Sequence, residues 1–539
     1  MKRRDFLRSG AGVALAASGG LAVPHVARGA ENRVLRFIPQ ANLANLDPIW
    51  TTLYVVRNAS VLFFDTLYGV DSSFNPQPQM CEGHTVSSDG LTYDFKLRPG
   101  LKWHDKEPVL SKDCVASLTR WMVRDNMGQM IKTRLAEIAP IDDRSFRIRL
   151  NQPFPKLVYA LGKLGTPIAF MMPERMAKTD PFKPITEYVG SGPFKFRKDE
   201  WIPGASAVFE RFDGYIPRQE APSWLSGGKV VHFDRVEWKI IPDAATASAA
   251  LQNGEVDWWE TASADLAPIL KANASLNVDI ADPLGNIGDF RMNHLFPPFN
   301  DQRVRLAALI GANQADYLQA ITGTDTNLWK QSASFLTPGT PLYTEFGGDN
   351  LKRHDIAAAR KLIEEAGHKG TKVNMIVGTD VPIAKAQGDV TADMLTKIGL
   401  VVDYVNTDWG TVGARRTQKK PVADGGWNIF FTWHAGVDCT TPGANPAFFA
   451  NGDKAWFGWP TSAPVQDTID AWFDAPDLAA EQKVARDFNK ASMDFVTFVP
   501  TGFFKGYQSW RKSLSGVVAA PFPVVWGVEK KACSRDPSP

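Results

Sequence analysis

Cysteine is scarce in this chain, with four residues in 539, and the four are scattered as Cys81, Cys114, Cys439 and Cys533. That spacing supplies neither a zinc-ligand set nor a Cys-x-x-Cys redox pair. Cys81 and Cys114 share one segment, and in an oxidising compartment they form either a disulfide or two buried thiols. Histidine is equally sparse: eight residues, no two of them at metal-ligand spacing, so neither a metal nor a cofactor is expected. Nucleophile and metalloprotease signatures are missing too. There is no G-x-S-x-G elbow and no H-E-x-x-H pair, and the nearest approach, "GASAV" at Gly204 to Val208, lacks the final glycine. The paired acids Asp142 and Asp143 stand at a turn before a strand, where solvation is their ordinary role. No catalytic residue is therefore assigned, and an enzyme is not expected. A net charge of +2, without a dense basic run, argues against a nucleic-acid partner.

Long apolar runs are lacking as well. The stretch "AGVALAASGGLAV", Ala11 to Val23, falls short of the roughly 20 residues that span a bilayer. It follows "KRRDFLR", in which Arg3, Arg4, Phe6 and Leu7 give residues 1–29 the form of a twin-arginine signal peptide. Small residues near Ala27 and Gly29 offer a cleavage point, so the mature chain is expected to begin near Ala30, in the periplasm. No cysteine directly follows the apolar run, so a lipid anchor is not expected.

What the remainder does contain is an alternation of strand and helix signals, which argues for α/β layers. In "TYDFKLR" Tyr93, Phe95 and Leu97 share one face, and in "SFRIRL" Phe146, Ile148 and Leu150 do the same. Between them "SKDCVASLTRWM" has helical spacing, with Ser111 as N-cap and Asp113 beside the positive helix end. Asp243 and Asp355 begin further helices, which Gly254 and Gly367 end, and Gly399 ends another before a strand from Leu400. "LRPGLKWHD" reads as a strand entering a turn, in which His104 packs rather than ligates. In "GSGPFKF", Gly190 and Gly192 permit positive φ before a strand. At about 150 residues per domain, the length allows three or so domains.

The order of these pieces resembles the periplasmic solute-binding proteins of family 5, which deliver peptides, nickel complexes, opines or glycosides to ABC importers. The resemblance is carried by "LDP" at Leu46 to Pro48, "VLFFDTLYGVDSSFNPQPQM", "VSSDGLTYDFKLRPGLKWHD", "YVGSGPFKF", "IIPDAATASAALQNGEVD" and "PFNDQRVRLAALIGANQ". It continues through "AARKLIEEAG" and "LTKIGLVVDY", and so covers nearly the whole mature chain. One departure is Asp105-Lys106, where relatives often have Asp-Gly. The resemblance implies an α/β fold of two lobes that close over a ligand (a type II, cluster C-like binding protein), with an extra small domain on the first lobe. It implies lobe one at residues 30–60, the small domain at 61–185, lobe one again at 186–285, lobe two at 286–500 and a return to lobe one at 501–539. A monomer that passes a small-molecule ligand to a membrane permease is expected.

In peptide-binding members a Trp is followed three residues on by an Asp that pairs with the ligand's α-ammonium. Here Trp433 matches the Trp, Gly436 stands at the third position, and the nearest acid is Asp438. Ordinary free peptides are therefore expected to be poor ligands, and a peptide-like or other polar organic molecule a better one, unless a loop shift brings Asp438 to the amine. Further candidates for ligand contact are His434 in the same stretch, Tyr54 after "LDP", one of Trp258 and Trp259, Asn286, and Arg415 or Arg416 as a carboxylate fork. Seventeen tryptophans supply wide aromatic faces, though a large core would use them equally. A nickel-chelate or cofactor carrier of the same fold is the alternative reading, and a secreted hydrolase a more distant one.

Overall fold

The computed structural model describes residues 33–531; residues 1–29, read above as a signal, and Cys533 lie outside them. Two large sheets organise the chain. The first runs in the order Leu276–Ile280, Tyr507–Arg511, Trp258–Ala262, Val34–Ile38, Arg235–Lys239, Ser206–Arg211, Phe194–Phe196. Its centre is parallel, with Val34–Ile38 between Arg235–Lys239 and Trp258–Ala262, and its edges are antiparallel. The second has six strands in the order Trp329–Lys330, Val499–Phe504, Asn286–Met292, Ile429–Ala435, Lys372–Gly378, Val401–Thr407. Its inner strands are almost wholly buried, as expected where helices cover both faces.

The chain passes between the sheets twice, outward across 281–285 and back across 505–506. The expected boundary at 500 thus falls inside the strand Val499–Phe504, which pairs with Asn286–Met292. The crossings run side by side, since Ile280 pairs with Tyr507 before them and Asn286 with Phe504 after them. A separate antiparallel sheet, Cys81–Val86, Thr92–Leu97, Ser145–Leu150 and Leu135–Pro140, packs with the helix Ser111–Arg124. The "LDP" aspartate fastens this unit to lobe one. Asp47 is fully buried, pairs with both ends of the Arg120 guanidinium at 2.7 and 3.1 Å, and accepts from the backbone of Ile49, Trp50 and Ile185. Such complete pairing offsets much of the cost of burying a carboxylate.

Local signals translate well at the helix ends. Asp243 accepts from Thr246 N at 2.7 Å and Asp355 from Ala358 N at 2.9 Å, while Gly254 and Gly367 take φ of 79° and 76°. Two readings need correction. Ser111 is the first helical residue, not the cap; Asp113 reaches back instead to accept from Leu110 N at 2.9 Å. Gly190 and Gly192 are required by close approach rather than by φ: an added Cβ would stand 2.0 and 2.8 Å from the carbonyl oxygens of Phe63 and Leu62. His104 clamps that turn, with its ring nitrogens 3.1 Å from Gly190 N and 3.0 Å from Gly192 O. Of the two alternatives for Cys81 and Cys114, the structure has the pair of buried free thiols, and burial raises the pKa of each.

Candidate functional site

The strand Ile429–Ala435 carries the stretch that drew attention in the sequence, and its alternation sends neighbours to opposite faces. Trp433 lies on one face, half-buried and stacked on Trp409 with ring centroids 5.6 Å apart. His434 turns to the other, where its Nε2 stands 3.4 Å from Asp289 Oδ1. The chain then enters a short helical turn, Gly436–Cys439. Gly436 donates to Gly285 O at 2.7 Å, and a Cβ there would lie 1.9 Å from Leu284 O. The position at which relatives place their aspartate is thus pressed against the outward crossing, and only glycine fits.

Asp438 is buried, and both carboxylate oxygens are committed to the first lobe and its small domain. Tyr54 Oη, from the first turn of the helix Tyr54–Phe63, donates to Oδ2 at 2.7 Å, and Thr166 N donates to Oδ1 at 3.2 Å. Tyr54 Oη in turn accepts from Ala435 N at 2.9 Å. Burial, and then the Asp438 charge, hold the phenol well above its ordinary pKa, so it stays a donor. Gly165 leaves the space this arrangement needs, since a Cβ would come within 2.4 Å of Asp438 Oδ1.

Behind Tyr54 lies a polar layer at the crossings. Arg57 is 4% exposed; its Nη2 donates to Pro521 O at 2.6 Å and its Nε to Asn58 Oδ1, while Nη1 has no hydrogen-bond partner. Glu260 accepts from Asn58 Nδ2 at 2.7 Å and Gln40 N at 2.8 Å. Burial pushes the carboxyls of Glu260 and of Asp282, on the outward crossing, up to about 7. A second line of contacts joins the small domain to lobe two: Arg134 to Asp474 at 2.8 Å, Lys156 to Glu481 and to Ala475 O, and Phe154 stacked on Phe473.

The structure joins Tyr54 and Asp438 at one seam; Trp433 lies two residues before Ala435, which Tyr54 also bonds, and Asn286 begins the strand paired with Ala435. It does not bring the others there. Trp258 is 1% exposed, donates to Gln508 Oε1 at 3.0 Å and packs on Phe37, and Trp259 fills a core with Ile38 and Leu251. Both rings are spent inside lobe one, because this strand is covered on both faces. Arg415 is clipped to Gly426 O and Asn374 Oδ1. Arg416 instead stacks among Phe430, Trp456 and Phe457. Sequence reasoning missed Arg57, Asp289, Arg291 and Lys156. The signal for two of them was there: "GDFRM" puts an acid and a base into an otherwise apolar strand. Among the described residues no group of three or more His, Cys, Asp or Glu is placed to hold a metal ion, and no helix is long and apolar enough to cross a membrane.

Residues 75–456 match the family model described as bacterial extracellular solute-binding proteins, family 5 Middle. The "Probable peptide ABC transporter periplasmic-binding protein y4tO" of Sinorhizobium fredii is 34% identical over 542 residues, which is 98% of this chain and 99% of that protein. The glutathione-binding protein GsiB of Salmonella typhi is 26% identical over 415 residues, 76% of each chain. Among solved structures, PBP AgaA of A. tumefaciens R10 in complex with agropinic acid superposes with a TM-score of 0.76 at 19% identity, over 92% of this chain and 96% of that one, a likeness of fold. With a family match over more than half its length and a relative aligned along nearly all of it, the chain belongs to the bacterial extracellular solute-binding proteins of family 5.

Proposed function

We propose that this protein is a periplasmic receptor, exported by the twin-arginine route, that captures a small polar solute between its lobes as a monomer and hands it to the permease of an ABC importer without chemical turnover. The relative from Sinorhizobium fredii, named for peptide ABC transport, supports the transport role. One observation carries the ligand preference: Asp438, the nearest acid in sequence to the family's amine-reading position, is already bonded to Tyr54 and Thr166, and Gly436 admits no side chain. A buried α-ammonium would have to share Asp438 with Tyr54 and Thr166, with no carboxylate of its own at position 436. Peptide-like molecules with a blocked amine, or other polar organic solutes, suit the seam better. Tyr54, Trp433 and Asn286 are the side chains we assign to meet such a ligand. His434 faces away from the seam, so a chelated metal gains no support from it.

The test is mass spectrometry of small molecules released by denaturing the mature protein purified from its own periplasm. A blocked peptide or another solute without a free amine is the expected result. Recovery of short peptides with free amino ends would overturn the ligand preference, and an esterase, peptidase or phosphatase activity lost on one point substitution would overturn the receptor reading.

A further inference from the structure

On the face of the second sheet away from Trp433, four ionisable side chains meet without completing one another's bonds. Strand register sets Asp289 opposite Thr432, and Ile287 opposite His434, so Asp289, Arg291 and His434 share that face. Asp289 and Arg291 are fully buried and His434 nearly so. Neither Asp289 oxygen has a hydrogen-bond partner, and the same holds for His434 Nε2, Arg291 Nη2 and Arg416 Nε. Arg291 is anchored by its other nitrogens, Nε to Phe457 O at 2.8 Å and Nη1 to Ala447 O at 2.7 Å, which fixes where Nη2 points. Both guanidinia feel the Asp289 charge, yet neither pairs with it; the ion-pair contact it makes is with His434 Nε2, at 3.4 Å and outside hydrogen-bond geometry. Trp456 roofs the group: its half-buried ring lies 5.2 Å from each guanidinium and 5.8 Å from His434.

Buried donors and acceptors are almost always paired, and a buried cation without a counter-charge is costlier still. Two guanidinia against one carboxylate leave an excess of positive charge, and the donors left free are those that suit an oxyanion. We propose that Arg291, Arg416 and His434, under Trp456, form an anion subsite of the second lobe that takes one carboxylate-sized group, with Asp289 setting an upper limit on its charge. The subsite lies one residue from the seam, because Ala435, next to His434, bonds Tyr54 of lobe one. Because it faces away from Trp433, it is a site for a free small anion and does not rest on the solute-capture reading.

Saturation-transfer NMR on the dialysed mature protein, with acetate as the probe, tests it. Saturable millimolar binding is expected, weakened at least tenfold in Arg416→Gln, largely kept in Arg416→Lys, and tightened in Asp289→Asn, which removes the opposing charge. Opposite signs for the two neutralising variants are not what a packing role would produce, and thermal melts confirm that each variant is folded. Absence of saturable binding to the wild type overturns the subsite, as does equal binding in Arg416→Gln, which would leave only ordered water in the gap. Equal competition by chloride would identify a small inorganic anion as the occupant; acetate binding that chloride leaves unchanged would identify a carboxylate. Failure of acetate binding leaves solute capture standing, because released molecules report on that separately.

Discussion

Lys106 holds φ at 76°, a conformation in which its Cβ crowds the backbone, at the position where relatives often carry glycine. The turn type is therefore kept and the strain accepted, since Asp105 still accepts from Glu107 N at 3.1 Å. Lys106→Gly relieves the strain but frees the unfolded chain, and the balance is expected to stabilise by up to about 1 kcal/mol, read as a higher denaturant midpoint at unchanged slope. Single residues also mark how far sequence can be read. That Gly190, Gly192 and Gly436 were special was legible, but not why: the reason is a carbonyl oxygen from a distant segment occupying the space of a Cβ. His104 as a packing residue needed only its turn.

At the scale of elements, alternation and caps located strands and helices because those signals are local. Strands Thr92–Leu97 and Ser145–Leu150 bury the three residues their patterns named. Asp438 resisted such reading because its partner Tyr54 lies 384 residues away. A separation of 250 residues hid the tryptophan pair, whose neighbour strand Tyr507–Arg511 arrives late in the chain. The helix Tyr54–Phe63 and the strand Ile429–Ala435 are held together at one phenol. Tyr54→Phe leaves Asp438 Oδ2 and Ala435 N without that partner, and is expected to disfavour the joined lobes by roughly 1–3 kcal/mol. Small-angle scattering of the ligand-free protein should then give a larger radius of gyration than wild type. An unchanged radius would place the holding force in the Lys156 and Arg134 contacts instead.

At the scale of the whole molecule, the crossings carry a pH dependence. Glu260 is neutral up to about 7 in the folded protein, against an ordinary value of 4.5. The folded state therefore holds a proton that the unfolded chain releases between those values. Its contribution is fully present below the unfolded value and lost as pH rises through about 7, with a slope of up to ~1.4 kcal/mol per pH unit. Denaturant unfolding across about pH 5 to 8 should show stability falling with rising pH, and Glu260→Gln, which can still accept from Asn58, should flatten that fall. A slope unchanged in the variant would assign it to Asp282.

The return crossing has a further consequence, for the order in which the protein is made. Tyr507–Arg511 is not an edge: it sits between Leu276–Ile280 and Trp258–Ala262. A nascent chain can assemble the whole of its second sheet, the last strand of which ends at Phe504, while the first still has a gap two strands from its centre. The lobe that begins first is finished last, and a ribosome that stalls before residue 511 leaves Leu276–Ile280 with no neighbour to pair.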